Sequence, residues 1–168
     1  MTIMDKRLSV RFPSHRTRIA MEEHRAGSGW VVRVILPAQG QSVAIRSARY
    51  DAWDSARDAL VREVLTVGDA LMADAYHRLK QAVRIWKCGR VGIRPRSGAA
   101  FNQVLSASAS IVDVALPCAR IFRTLLDHGG LEDGTYTTPD WLACALDDLQ
   151  EGLTENEAGF RLAETMRR

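Results

Sequence analysis

Seven basic residues, Arg78, Lys80, Arg84, Lys87, Arg90, Arg94 and Arg96, fall within 19 consecutive positions that hold no Asp or Glu. Cations at this density suit one chemistry above others, charge-assisted hydrogen bonds to the oxygens of a polyanion. Lys80, Arg84 and Lys87 are spaced four and three apart. On a helix that turns about 100° per residue they form one stripe with His77. Arg90, Arg94 and Arg96 follow in residues 89–98, a segment with three glycines and one proline that reads as a loop or linker. A basic helix stripe leading into such a loop suits a phosphate backbone, with Trp86 or Phe101 placed to stack on a base. A solvated charged face normally mixes both signs, and this one does not.

The rest of the chain extends the asymmetry. Residues 1–100 hold 18 basic and 9 acidic side chains, a net of +9, whereas residues 101–168 hold 5 and 11, a net of −6. Arginine outnumbers lysine 20 to 3, which favours planar, bidentate contacts with phosphate or carboxylate. The acidic part offers Asp140, Asp147, Asp148 and Glu151 as a second candidate surface for a protein partner. Those acids admit two further roles: docking on the basic loop of the same molecule, or imitating nucleic acid in a partner's basic groove.

Other chemistries find no support in the spacing. The four histidines and three cysteines form no C-x-x-C, H-E-x-x-H or H-x-x-x-H arrangement, so neither a metal nor any other cofactor is expected. Residues 27–29, Gly-Ser-Gly, lack the Lys-Ser/Thr ending of a phosphate-binding loop and read as a hairpin turn. No nucleophile elbow is present, and nothing in the spacing selects a catalytic triad, so an enzyme is not expected. Cys88, Cys118 and Cys144 are odd in number and far apart, as reduced thiols would be. No stretch reads as membrane-spanning, and the first residues lack a signal-peptide core, so the expected location is cytoplasmic.

The elements that must position these groups follow from periodicity. Leu8, Val10 and Phe12 alternate with Ser9 and Arg11, Ile19 and Met21 with Arg18, Ala20 and Glu22, Trp30, Val32, Val34 and Leu36 with Val31, Arg33 and Ile35, and Val43 and Ile45 with Ala44 and Arg46. Turn-forming residues separate these runs, and period two predicts an antiparallel meander of three or four strands with one buried face. On that pattern Arg18, Arg33 and Arg46 share the polar face with Arg11, giving a secondary nucleic-acid surface. From Tyr50 the period becomes helical. Trp53, Ala56, Leu60, Val61 and Val64 mark one segment, and Met72, Tyr76, Leu79, Val83 and Trp86 a second, with Gly68 between them as a break or kink. A single apolar stripe of that kind packs a core or forms a homodimer seam.

After the Gly/Arg segment, Phe101, Val104, Leu105, Ser108, Ile111, Val112 and Ala115 share a helical face, and Pro117 is expected to end or kink that helix. Gly129 and Gly130 stop the following stretch. Thr138 and Pro139 open another helix with Pro at its first position, and Thr154 to Glu157 form a capping box for a last one. The expected class is α+β. Residues 1–88 form a basic sheet-and-helix part, 89–98 a linker and 99–168 an acidic helical part, the first and last packing separately or as one domain.

Residues 29–34, Gly-Trp-Val-Val-Arg-Val, a further strand, and residues 50–56, Tyr-Asp-Ala-Trp-Asp-Ser-Ala, resemble two kinds of β-β-β-α module. These are the arm-type DNA-binding domains of tyrosine integrases and the partly degraded RNase-like fold of some antitoxins. The arm-type resemblance implies a sheet that faces nucleic acid, which suits Arg18, Arg33 and Arg46. The resemblance stops near residue 56 and assigns no family. The leading expectation is a non-catalytic nucleic-acid-binding accessory or regulatory protein acting through Lys80, Arg84, Lys87, Arg90, Arg94 and Arg96. The alternative is a protein-binding inhibitor or adaptor, such as a mobile-element product directed at a bacterial defence nucleoprotein complex.

Overall fold

Strand and helix periodicities divide the structure, a computed structural model, as they divide the sequence. It describes residues 7–24, 28–37, 43–91, 98–128, 130–132 and 136–150. Four strands, β1 (Arg7–Phe12), β2 (Thr17–Glu23), β3 (Trp30–Pro37) and β4 (Val43–Tyr50), form an antiparallel sheet in sequence order. Three helices follow, α1 (Trp53–Val91), α2 (Gly98–His128) and α3 (Asp140–Gln150), so the class is α+β. Within β1 the alternation is strict: Leu8, Val10 and Phe12 are buried and Arg7, Ser9 and Arg11 exposed. The buried strand residues join one apolar cluster with Leu60, Val61 and Val64 of α1, Ile111 and Leu125 of α2, and Leu142 of α3. The helices therefore cover one face of the sheet.

The β2–β3 hairpin shows how register is set. Gly29 has φ +92°, and a Cβ there would stand 2.6 Å from the Tyr50 carbonyl oxygen. Only glycine allows that approach, and it holds β4 beside β3 with Trp30 opposite Tyr50.

Gly68 does not break the first helix. α1 runs unbroken for 39 residues, and Gly68 is a notch in its side. A Cβ at Gly68 would lie 2.9 Å from Cη2 and 3.1 Å from Cζ2 of Trp141. The missing side chain admits the indole of α3, whose Nε1–H donates to Asp69 at 2.8 Å. Packing and a hydrogen bond outweigh the helix propensity, about 1 kcal/mol, that glycine forfeits.

Pro117 likewise sits inside α2 without ending it. Leu116, Cys118 and Ala119 beside it are buried, and that burial holds the backbone helical where one hydrogen bond is missing. By length and composition residues 100–127 would pass for a spanning helix, which the sequence reading did not anticipate. Of the 18-residue window that carries this signal, 61% is buried inside the fold, as in a core helix.

Helix ends shift slightly from expectation. Ala143 and Leu142 donate to the Pro139 carbonyl, so Pro139 caps α3 rather than occupying its first turn. Past Gly130, Leu131 N–H returns to the Leu125 carbonyl. The predicted last helix lies outside the described residues.

Two groups, half-buried Tyr136 and buried Cys118, make the fold sensitive to alkali. The Tyr136 hydroxyl donates to Asp58 at 2.6 Å. Burial first, then that bond and the Asp58 charge, push its pKa up to about 12. Burial, with Asp69 nearby, pushes the Cys118 thiol from its ordinary 9.0 to about 12. Both are neutral-form stabilisations, complete below the unfolded pKa and lost as pH rises through the folded one. The melting temperature is expected to fall as pH climbs from about 9 to about 12. Tyr136→Phe should cost about 1–2 kcal/mol at neutral pH and flatten the part of that fall above pH 10. A melting series across this range with an unchanged slope in the variant would refute the assignment.

The thiols divide by burial. Cys88 and Cys144 are exposed and Cys118 is buried. A native thiol-reagent titration should count two, and denaturant should reveal the third. Burial and then Asp148, Asp147 and Asp140 raise the Cys144 pKa, which slows its reaction near neutrality.

Candidate nucleic-acid interface

The sheet has one covered and one open face, and cross-strand register assigns every strand residue to one of them. Arg11 pairs with Arg18, and Arg18 with Ile35. Arg7 pairs with Glu22, Glu22 with Val31, and Val31 with Arg49. Ala20 pairs with Arg33, and Arg33 with Ser47. Residues directly opposite share a face, so Arg7, Arg11, Arg18, Arg33 and Arg49 all stand on the face away from the helices. Glu22 is the one acid among the described residues of that face.

Arg11 and Arg18 are direct cross-strand neighbours of like charge, an arrangement that disfavours the pair unless an anion lies between them. Arg18 is half-buried, and its Nε is a buried donor with no partner. Arg33 forms an ion pair with Glu22 on the diagonal. Ala20 and Val31, the cross-strand partners of that pair, are buried. Arg49 donates to the carbonyl and the hydroxyl of Ser28, both at 2.8 Å. None of the open-face residues named here is aromatic.

Arg46 is not on this face. It pairs with Val34, whose neighbour is Ile19, so it stands on the helix side and forms an ion pair with Glu63 of α1. Conversely Ile45, expected to be buried, is 62% exposed and lies on the open face opposite Ile35. β4 is an edge strand with both parities partly apolar, Val43 and Ile45 against Ala44 and Ala48. Period two separates its faces without saying which is inward. Pairing with β3 decides that, placing Ala48 and Tyr50 on the helix side, with Ala48 exposed and Tyr50 half-buried.

On α1, Lys80, Arg84 and Lys87 are exposed, and among the described residues none of them forms an ion pair. Ile85, 55% exposed, lies beside them in sequence, and Phe101, 41% exposed, packs against Trp86 with the rings tilted by 44° and their centroids 6.0 Å apart. Phe101 therefore leaves the buried face expected for it. The helix covers residues 89–91, and α2 already begins at Gly98, so the Gly/Arg segment is partly helical. The side chain of Arg90, and Arg94 and Arg96 entirely, lie outside the described residues.

The acidic candidates part company. Asp140 and Asp147 are exposed on α3, Asp148 is 5% exposed, and Glu151 lies outside the described residues. Burial removes Asp148 from any contact surface. α3 meets α1 near Gly68 and Asp69, and its Cys144 and Asp140 lie close enough to Tyr76 to help raise that hydroxyl's pKa after burial. No group of acids, histidines and cysteines suited to a metal occurs among the described residues.

Sequence reasoning missed Arg7 and Arg49. Arg7 continues the Ser9 and Arg11 alternation by one step. Arg49 becomes legible only when β4 is read in the opposite parity. No protein-family model, curated protein or solved structure matches this chain.

Proposed function

We propose that this protein binds nucleic acid without acting on it catalytically, through the open sheet face and, secondarily, the Lys80, Arg84 and Lys87 stripe. One observation carries the proposal: among the described residues five arginines and a single acid occupy the sheet face away from the helices, with Arg11 and Arg18 opposed and a buried Arg18 donor unsatisfied. A phosphate oxygen between Arg11 and Arg18 relieves their repulsion and accepts charge-assisted bonds. Because the face offers arginine and β-branched side chains rather than aromatic rings, it suits a duplex held by its phosphates better than single strands held by base stacking.

The test is binding of labelled random duplex and single-stranded DNA and RNA across a salt series. Duplex affinity in the micromolar range or tighter is expected, with a log–log salt slope of about −3 to −5, as for four or five phosphate contacts. Absence of binding at about 50 mM salt overturns the proposal, because electrostatic contacts are strongest there.

A further inference from the structure

A groove of about 730 Å³ lies between β1 and α2. Its strand wall consists of residues 7–11, every one in turn. A cavity on one face of a strand would be lined by alternate residues, so this one follows the strand's edge. That edge is free: β1 ends the sheet order, and its one partner strand among the described residues is β2. The other wall is a row along α2 at spacing four, Val112, Leu116, Arg120 and Thr124.

The two walls match in length. Val112 to Thr124 spans about 18 Å of helix, and the five residues 7–11 of β1 span about 17 Å of strand. A segment of about six extended residues fills such a space. The charge is lopsided as well. Arg7, Arg11 and Arg120 border the groove against the lone acid Asp113, which accepts a bond from Ser14 at 3.4 Å. Arginines on an open edge discourage pairing with neutral or basic strands, and they complement an acidic one.

We propose that this groove takes an extended acidic peptide segment of a partner protein, added beside β1 as a fifth strand. Main-chain bonds to the free edge supply affinity. Apolar side chains of the peptide face Leu116, and its acids face Arg7, Arg11 and Arg120. The proposal does not rest on nucleic-acid binding, and the two sites share only Arg7 and Arg11.

The experiment selects phage-displayed random octapeptides on the full chain and measures the enriched peptides by fluorescence anisotropy. Enrichment of Asp and Glu alternating with apolar residues is expected, with micromolar affinity and shifts in the Ser9 and Val10 amide resonances. A central proline in the peptide, Arg120→Glu, or Thr124→Trp should each weaken binding at least tenfold. Thr124 is exposed, so its replacement fills the groove without disturbing the core, and it changes no charge, so duplex affinity should stay within twofold. The proposal is overturned by no enrichment, by peptides that bind the Arg120→Glu and Thr124→Trp variants equally well, or by unshifted β1 amides.

Discussion

Trp141→Ala is expected to destabilise the fold by about 3–5 kcal/mol, the range for emptying a buried aromatic site. For a chain of this size the melting temperature should fall by roughly 6–20 °C. The indole is 7% exposed, fills the Gly68 notch and donates to Asp69, so its loss opens a cavity and removes a hydrogen bond together. Gly68→Ala provides the cross-check. Alone it drives a methyl into the ring, at a cost of about 1–3 kcal/mol, against a gain of about 1 kcal/mol in helix propensity. In the Trp141→Ala background the obstruction is gone, and the same substitution should become stabilising. Urea unfolding of the four proteins of this cycle measures the change of sign. An equal effect of Gly68→Ala in both backgrounds would falsify the notch.

The largest functional loss should follow charge reversal on the open sheet face. Arg7, Arg11 and Arg49 are exposed, so Arg7→Glu/Arg11→Glu/Arg49→Glu leaves the core intact. Removing three phosphate contacts and adding three repulsions is expected to weaken duplex binding by about 100- to 1,000-fold near 0.1 M salt, and to shrink the salt slope by about 3. Lys80→Glu/Arg84→Glu/Lys87→Glu should cost about tenfold, as a secondary contact. The opposite ranking would move the principal site to α1. Equal affinity of both triple variants with the parent would remove arginine-mediated binding altogether.

Most of the fold is legible from periodicity because β1 and β2 each have a mainly apolar and a mainly polar parity, β3 has one parity that is apolar throughout, and each helix has one apolar stripe. β4 fails that condition, and there Arg46 was assigned to the wrong face and Arg49 overlooked. Gly68 and Pro117 mislead for a different reason. Both are local signals for interruption, overruled by tertiary contacts that no local pattern contains: an indole from a residue 73 positions away and a run of buried neighbours around the proline. The candidate site was visible as a density of arginine. Its geometry was not, because opposing Arg11 to Arg18 requires the register of β1 on β2.

The unbroken α1 has a hydrodynamic consequence. A compact chain of 168 residues has a radius of gyration of about 15 Å, equivalent to a sphere about 40 Å across. Thirty-nine residues of helix extend about 58 Å. No sphere of that mass encloses such a rod, so the particle must be prolate, with a frictional ratio above that of a compact domain. It will tumble slowly about its short axes and elute early from a sizing column, where a monomer will pass for something heavier.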